Sequence, residues 1–359
     1  MKTDVRGDPK TIDAAWLTEA LEEGGVARGA VVTEAHFDGF VGTGQMSRNA
    51  RFSLEWDRPV GRPASVVGKF PSDDATARIS AFESGIYYSE FSFYAEIAHT
   101  VDVRTPDCWV ARFDVEVPDF VLIMEDLRDS QQGDQFTGCS DDEVALALGQ
   151  AVGLHAPRWG DPALAGLAAL QPADEGRAEL LGKYYGGCFG GCLERLGPRL
   201  DDDVMSLVRK FNHVIERWSF GTGTPNTIVH GDFRPDNFLF GRTPDAPPLA
   251  VVDWQTISKG LGAFDVAYLI GGAFSPDKRA AIEHDLLDDY RRRLNAAGID
   301  YDADDCWRDY RWGTLHGVVI GVCATMMAEQ TERGDEMLTL MVSRHARHAL
   351  DLDALALLD

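Results

Sequence analysis

The chain has 359 residues, enough for a sizeable core divided between two lobes. Lys and Arg number 34 against 58 Asp and Glu, a formal charge of −24, which excludes nucleic-acid phosphate as a general partner. No apolar run approaches a membrane span, and the start MKTDVRGDPKTIDAAW has neither the basic beginning nor the apolar centre of a signal peptide, so a cytoplasmic protein is expected.

The first third reads as strand-rich. AVVTEAHFDGF, NARFSLEW and SVVGKF are short, partly alternating runs separated by Gly or Pro. Between Ile79 and Ala98 the pattern changes, with Phe82, Ile86, Tyr94 and Ile97 at helical spacings, and one helix packed on the sheet is predicted. CWVARFDV and FVLIMEDL follow as two more strands, and the polar Gln-, Gly- and Ser-rich stretch after them is the expected lobe boundary. Beyond it SDDEVALALGQAVGLHA places Ser140 and Glu143 in capping-box spacing ahead of an amphipathic helix. Helical patterns recur around 174–219, 276–297 and 303–357, interrupted by the short apolar runs TIV and FLF and by LAVVDWQTI. Six cysteines at 108, 139, 188, 192, 306 and 323 match neither a disulfide framework nor a CxxC zinc site. Cys188 and Cys192 in GGCFGGC are one helix turn apart, although the glycines around them suggest a loop or close packing.

Several polar residues sit where apolar ones would be expected. In GFVGTGQMSRNARFSL, a turn between strands, the missing side chains of Gly42 and Gly44 let backbone N–H groups approach phosphate oxygens, although Met46 and Ser47 occupy the place of a third glycine. Lys69 lies inside the apolar strand SVVGKF, where an ammonium group is costly unless paired with a carboxylate or a phosphate. Glu83 and Glu90, seven residues apart on the following helix, are both candidate partners. In IVHGDFRPDNFLFG the loop between two strand-like runs carries His230, Asp232, Arg234 and Asn237. Asp232 and Asn237 are five residues apart, and Asp253 follows sixteen residues later at the end of the apolar run LAVV. A glycine turn, a strand Lys, a helix Glu, an Asp and Asn five apart and a later Asp form, in that order, the set of parts that phosphoryl transfer by protein kinases uses. Asp232 would then accept a hydrogen bond from a substrate hydroxyl. Asn237 and Asp253 would supply the hard oxygen ligands that Mg2+ prefers. His230 reads as an architectural histidine, and Arg234 either contacts the transferred phosphoryl group or points to solvent.

VHGDFRPDN, VVDWQ and GAFDVAYL together resemble the aminoglycoside phosphotransferase superfamily of small-molecule kinases, especially its ecdysteroid kinase-like and choline kinase-like branch. The resemblance implies an α+β, protein-kinase-like bilobal fold: a five-stranded antiparallel N-lobe sheet with one helix over residues 1–126, and a mostly helical C-lobe over 127–359. It implies ATP and Mg2+ as cofactors, with Gly42, Thr43, Gly44, Gln45 and Met46 over the phosphates and Lys69 on the phosphates held by Glu90. Backbone groups of Glu125 and Leu127 in IMEDL would meet adenine, Asp232 and Arg234 would act on the transferred group, and Asn237 and Asp253 would hold the metal. Asp265 in GAFDVAYL would brace the catalytic loop. Trp254 and Gln255 depart from the Phe and Gly of protein kinases, and only about a dozen residues separate Asp253 from Asp265, too few for a protein kinase's activation segment. The expected activity is transfer of the γ-phosphoryl group to a hydroxyl of a small molecule, whether aminoglycoside, amino sugar, choline-like or steroid-like alcohol. The alternative is a nucleotide-binding pseudokinase serving as an interaction module. Neither nucleic acid nor membrane is an expected partner. Acidic charge leans toward a cationic acceptor, while Tyr184, Tyr185, Trp307 and Trp312 read as helix packing or as the lining of an apolar pocket.

Overall fold

A computed structural model describes residues 4–42, 46–170, 175–327 and 330–358. After a helix α1 (Ala14–Glu23), strands β1 (Val32–Val41), β2 (Ser47–Trp56) and β3 (Ser65–Pro71) lead into helices α2 (Ala75–Glu83) and α3 (Ile86–Ser92), then β4 (Cys108–Phe113) and β5 (Phe120–Glu125). The five strands form one antiparallel sheet in the order β1-β2-β3-β5-β4. Alternation along β2 and β3 sorts the two faces. Ala50, Phe52, Leu54, Val66 and Phe70 join Trp16, Leu17 and Leu21 of α1 in one buried core, while the alternate residue Lys69 projects the other way.

This lobe departs from the expected single helix in two ways. Helix α1 adds a second one, capped by the Asp13 side chain on the Trp16 N–H and burying its 16, 17, 20, 21 stripe on the outer face of the sheet. The helix predicted over 79–98 is broken: Gly85 adopts φ +80, a conformation that favours glycine, and after α3 the backbone widens into a π turn over Phe93–Ile97. The break leaves Glu83 exposed at the end of α2 and buries Glu90 in the middle of α3.

The remaining chain is mostly helical: β6 (Ser130–Gln132), α4 (Asp141–His155), α5 (Glu175–Leu196), α6 (Asp202–Phe211), α7 (Ile215–Trp218), β7 (Thr227–Val229), β8 (Phe238–Gly241), β9 (Leu249–Val251), β10 (Ser258–Gly260), α8 (Ala263–Ala273), α9 (Pro276–Ala296), α10 (Ala303–Met327) and α11 (Glu332–Asp351). The capping box at Ser140 and Glu143 forms in full and opens α4. Cys188 and Cys192 lie within the continuous helix α5 rather than in a loop, and all six cysteines are free thiols. Tyr185 and Trp312 are core residues, and Trp312 and Trp218 each donate the indole N–H to the other's carbonyl oxygen; Tyr184 stays half exposed. No helix among the described residues is long and apolar enough to cross a membrane.

Helix α8 is where pattern reading is least able to see an element. Every one of its residues except Phe264 is buried, so it shows an unbroken apolar run in place of a stripe. It packs against α4, α9, α10 and α11 and carries the buried Asp265 and Tyr268 into the interior of the C-lobe.

Candidate active site

The strands TIV and FLF that flank the loop 230–237 do not pair with each other. β7 pairs with β10, and β8 lies between β6 and β9. The loop is therefore a crossing between two small sheets, and side chains hold its backbone. The His230 and Gly231 N–H groups donate to the Asp265 carboxylate at 2.7 and 2.9 Å. Thr256 Oγ1 donates to the His230 carbonyl at 2.8 Å, and His316 Nε2 to the Gly231 carbonyl at 2.8 Å. All four backbone polar groups of these two residues are thereby satisfied, as burial demands. Gly231 has φ +82, and a Cβ there would come within 2.5 Å of the Thr256 carbonyl oxygen.

His230 is architectural. Its Nδ1 accepts the Asp232 N–H at 3.2 Å and its Nε2 donates to the Val252 carbonyl at 3.0 Å, which assigns one neutral tautomer. Asp265 is fully buried and also accepts from His155 Nε2 at 3.2 Å, while His155 Nδ1 meets the Tyr290 hydroxyl at 2.8 Å. Burial works against its charge, but the hydrogen bonds from His155 and the loop backbone prevail and hold its pKa below the usual carboxylate value. Because the folded value is depressed, the stabilisation is complete above the unfolded pKa of about 4 and is lost as pH falls through the lower folded value. Asp265→Ala strands three buried donors and is expected to destabilise the fold by about 3–5 kcal/mol. Thermal denaturation across pH checks this, and a variant melting with the wild type at neutral pH would remove Asp265 from the role of brace.

Asp232, Arg234 and Asn237 meet at the end of this loop. The Asn237 amide Nδ2 donates to the Asp232 carbonyl at 2.7 Å and to its Oδ2 at 2.9 Å, which turns the amide oxygen away from Asp232. Arg234 does not point freely into solvent. Its Nε lies 3.1 Å from each Asp232 oxygen, and its Nη1 is 2.9 Å from Asp236 Oδ2. The Tyr268 hydroxyl donates to Asp232 Oδ1 at 3.1 Å. Burial opposes the Asp232 charge, yet Arg234 and the hydrogen bonds from Asn237 and Tyr268 outweigh it and leave the pKa lowered.

The second cluster joins both lobes. Lys69 Nζ lies 2.6 Å from Glu90 Oε1 and 2.8 Å from Asp253 Oδ1, so one buried ammonium serves two carboxylates, one from α3 and one from the segment after β9. Burial penalises the Lys69 charge, but the two carboxylates raise its pKa overall. Burial also raises that of Glu90, with Asp253 adding to the effect and Lys69 offsetting it in part. With both carboxylates ionised the trio carries a net negative charge. Asp253 adopts φ +70 and ψ 65, a strained backbone for a residue with a side chain. Next to it Trp254 stacks on Phe93 of the π turn at 3.7 Å and 3°, rests on His230 at 4.6 Å, and gives its backbone N–H to Glu90. Trp254, where protein kinases have Phe, thus ties α3 and the π turn to the loop 230–237. The Val252 N–H donates to the Asn237 carbonyl at 3.0 Å, which sets the two candidate metal ligands on adjoining backbone.

Asn237 Oδ1 accepts no hydrogen bond among the described residues, and Asp253 Oδ2 receives only Gln255 Nε2 at 3.3 Å. Two hard oxygen donors beside an excess of negative charge fit a divalent cation. At the hinge the Glu125 N–H donates to the Asp107 carbonyl at 2.8 Å. The Asp107 N–H, which would return the ladder bond to the Glu125 carbonyl, goes instead to the Glu125 side chain at 3.2 Å. Arg104 Nη2 holds the same carboxylate at 2.7 Å. The Leu127 carbonyl accepts the Ser130 N–H at 3.0 Å, and the Leu127 N–H has no partner among the described residues. In the glycine turn, Gly42 has φ +76 and the Met46 carbonyl accepts the Tyr87 hydroxyl at 2.7 Å; Thr43, Gly44 and Gln45 lie outside the described residues. A concavity of about 630 Å³ between α6 and the C-terminal turn Ala354–Leu358 contains none of these residues.

Sequence reasoning missed Tyr268, Thr256, His155 and His316. Only Tyr268 left a usable sign, its position three residues after Asp265 on one helical face.

A bilobal α+β fold with these two clusters at its junction is that of a phosphoryl-transferring enzyme. Residues 109–308 match the phosphotransferase enzyme family (APH), and the chain belongs to it; it is a small-molecule kinase. Similar solved structures include choline kinase from Cryptosporidium parvum Iowa II, 9% identical with a TM-score of 0.55 over 90% of this chain and 91% of that one. The microcompartment-associated aminopropanol kinase is 15% identical with a TM-score of 0.54 over 95% and 99%, and APH(2")-IIia in complex with GDP and kanamycin is 16% identical with a TM-score of 0.53 over 90% and 97%. At these identities the likeness is one of fold. No curated protein matches the chain in sequence.

Proposed function

We propose that the protein transfers the γ-phosphoryl group of MgATP to a hydroxyl of a small molecule, with residues 1–126 binding the nucleotide and 127–359 providing the catalytic loop and acceptor side. The observation that carries this reading is the Lys69–Glu90–Asp253 trio beside the Asp232–Asn237 loop. Lys69, oriented by Glu90, binds phosphate oxygens. Asp232 accepts the hydrogen bond of the acceptor hydroxyl and aligns it, and the acceptor proton passes to the carboxylate as the oxygen bonds phosphorus. Arg234, already ionised and paired, offsets the charge of Asp232 and Asp236 next to the transferred group. A Mg2+ ion, held by Asn237 and Asp253, would supply charge neutralisation on the phosphates.

The hinge favours adenine. An adenine edge presents an N6–H donor and an N1 acceptor, which complement the Glu125 carbonyl and the Leu127 N–H. Guanine presents an acceptor and two donors, and those donors would need the Leu127 carbonyl, one of whose two lone pairs Ser130 already occupies. One donor left unpaired costs about 1–3 kcal/mol, so kcat/KM for MgATP should exceed that for MgGTP by roughly 5- to 150-fold. Equal or reversed preference in a steady-state comparison would overturn the adenine assignment.

The experiment for the whole reading is a coupled ADP-release screen against hydroxylated amines, sugars, macrolides and sterol-like alcohols. Acceptor-dependent ADP release, absent in Asp232→Asn, is the expected result. Nucleotide binding with no acceptor-dependent release throughout would favour a non-catalytic nucleotide-binding role.

A further inference from the structure

The hydrogen bond from Tyr268 to Asp232 has no part in the phosphoryl-transfer steps proposed for the other residues of the site. A carboxylate turns easily about its Cβ–Cγ bond, since such torsions have broad wells. Asn237 Nδ2 and Arg234 Nε both donate to Oδ2, and neither hydrogen bond fixes Oδ1. The phenol on Oδ1 at 3.1 Å supplies the second fixed point. With it in place Oδ1 keeps one lone pair, and that lone pair has one direction.

Tyr268 is itself clamped. The His345 ring stacks on it at 4.7 Å and 18°, and the His316 ring meets it edge-on at 5.7 Å and 82° while bonded to the Gly231 carbonyl. His345 is completely buried with neither ring nitrogen partnered, a cost that an apolar side chain there would not carry. Space for its ring comes from missing side chains: a Cβ on Gly317 would lie 2.3 Å from it and one on Gly271 2.9 Å. Burial keeps His345 neutral and keeps Tyr268 protonated, its pKa pushed well up. The phenol is thus a permanent donor on a rigid ring.

We propose that Tyr268, backed by His345 in the slot left by Gly317, is a positioning residue that sets the plane of the Asp232 carboxylate and turns the free Oδ1 lone pair toward the incoming hydroxyl. The proposal rests on Asp232 being the acceptor-orienting group. In the step it serves, the acceptor oxygen bonds the γ-phosphorus, the bond from phosphorus to the ADP oxygen breaks with its electron pair leaving on ADP, and the acceptor proton goes to Oδ1.

The test uses the full chain with MgATP and water as the probe acceptor. Tyr268→Phe keeps the ring and removes the hydroxyl. It should lower kcat about 10- to 100-fold, as expected for one hydrogen bond to a charged group. KM for MgATP should stay within about twofold, because Tyr268 does not touch the nucleotide-binding cluster. The double variant with Asp232→Asn should be no slower than Asp232→Asn, since one unit has been broken twice. A second readout needs no turnover: in protein labelled with [ζ-13C]tyrosine, the resonance missing from Tyr268→Phe should move in Asp232→Asn and in Gly317→Ala. Wild-type kcat in Tyr268→Phe beside an inactive Asp232→Asn, or a resonance indifferent to Asp232, would overturn the positioning role and spare the reading of Asp232. Full activity in Asp232→Asn would instead overturn that reading.

Discussion

Asp253→Ala should reduce phosphoryl transfer at least about a thousandfold, the equivalent of roughly 4 kcal/mol of lost transition-state stabilisation at a metal-bridged phosphate. The same substitution should leave the fold intact, because Lys69 keeps its 2.6 Å partner Glu90 and no buried charge is stranded. It should also change how the nucleotide binds. In the wild type two carboxylates face one ammonium, so metal-free ATP meets net negative charge. Removing one of them should tighten binding of metal-free ATP while weakening that of MgATP. Calorimetric titrations with and without Mg2+ separate the two. A general loss of binding in both would point to collapse of the Lys69 site, and an unchanged rate would remove Asp253 from the chemistry.

Asp232→Asn is the second large effect, with kcat expected to fall about 10²- to 10⁴-fold, the range of general-base contributions. KM for MgATP should hold, since Asp232 contacts Arg234, Asn237 and Tyr268 and none of the Lys69 trio. The lowered pKa of Asp232 makes it a weak base, better at orienting a hydroxyl than at removing its proton early. That suits a loose transition state in which the proton leaves late. Steady-state kinetics with an acceptor found in the screen decide it. Near wild-type turnover would end the assignment.

The clusters were partly legible in the sequence because charge in apolar surroundings demands a partner. Lys69 inside SVVGKF announces a carboxylate, and Asp253 after LAVV announces a delivered charge. Spacing could not choose between Glu83 and Glu90, seven residues apart in what reads as one helix. The choice is made by Gly85, whose left-handed backbone breaks that helix and turns Glu83 outward. Helix α1 left its own signs, an Asp13 cap and apolar residues at 16, 17, 20 and 21, in a stretch read as part of a strand-rich third. Helix α8 was hidden because a segment buried on nearly all sides has no periodicity to detect. His155, His316 and His345 were out of reach for a different reason. A buried imidazole 75 to 115 residues from His230 of the loop it supports acquires its role only when tertiary packing brings the two together, and no local pattern marks that event.

The proposed function requires Asn237 and Asp253 to hold one nucleotide-bound cation in front of Lys69. The most direct measurement is Mn2+ binding followed by electron paramagnetic resonance, with ATP present and absent, on the wild type, Asn237→Ala and Asp253→Ala. The prediction is ATP-dependent Mn2+ uptake by the wild type, weakened at least about tenfold in each variant, as for loss of a single ligand. Wild-type uptake in both variants would contradict it.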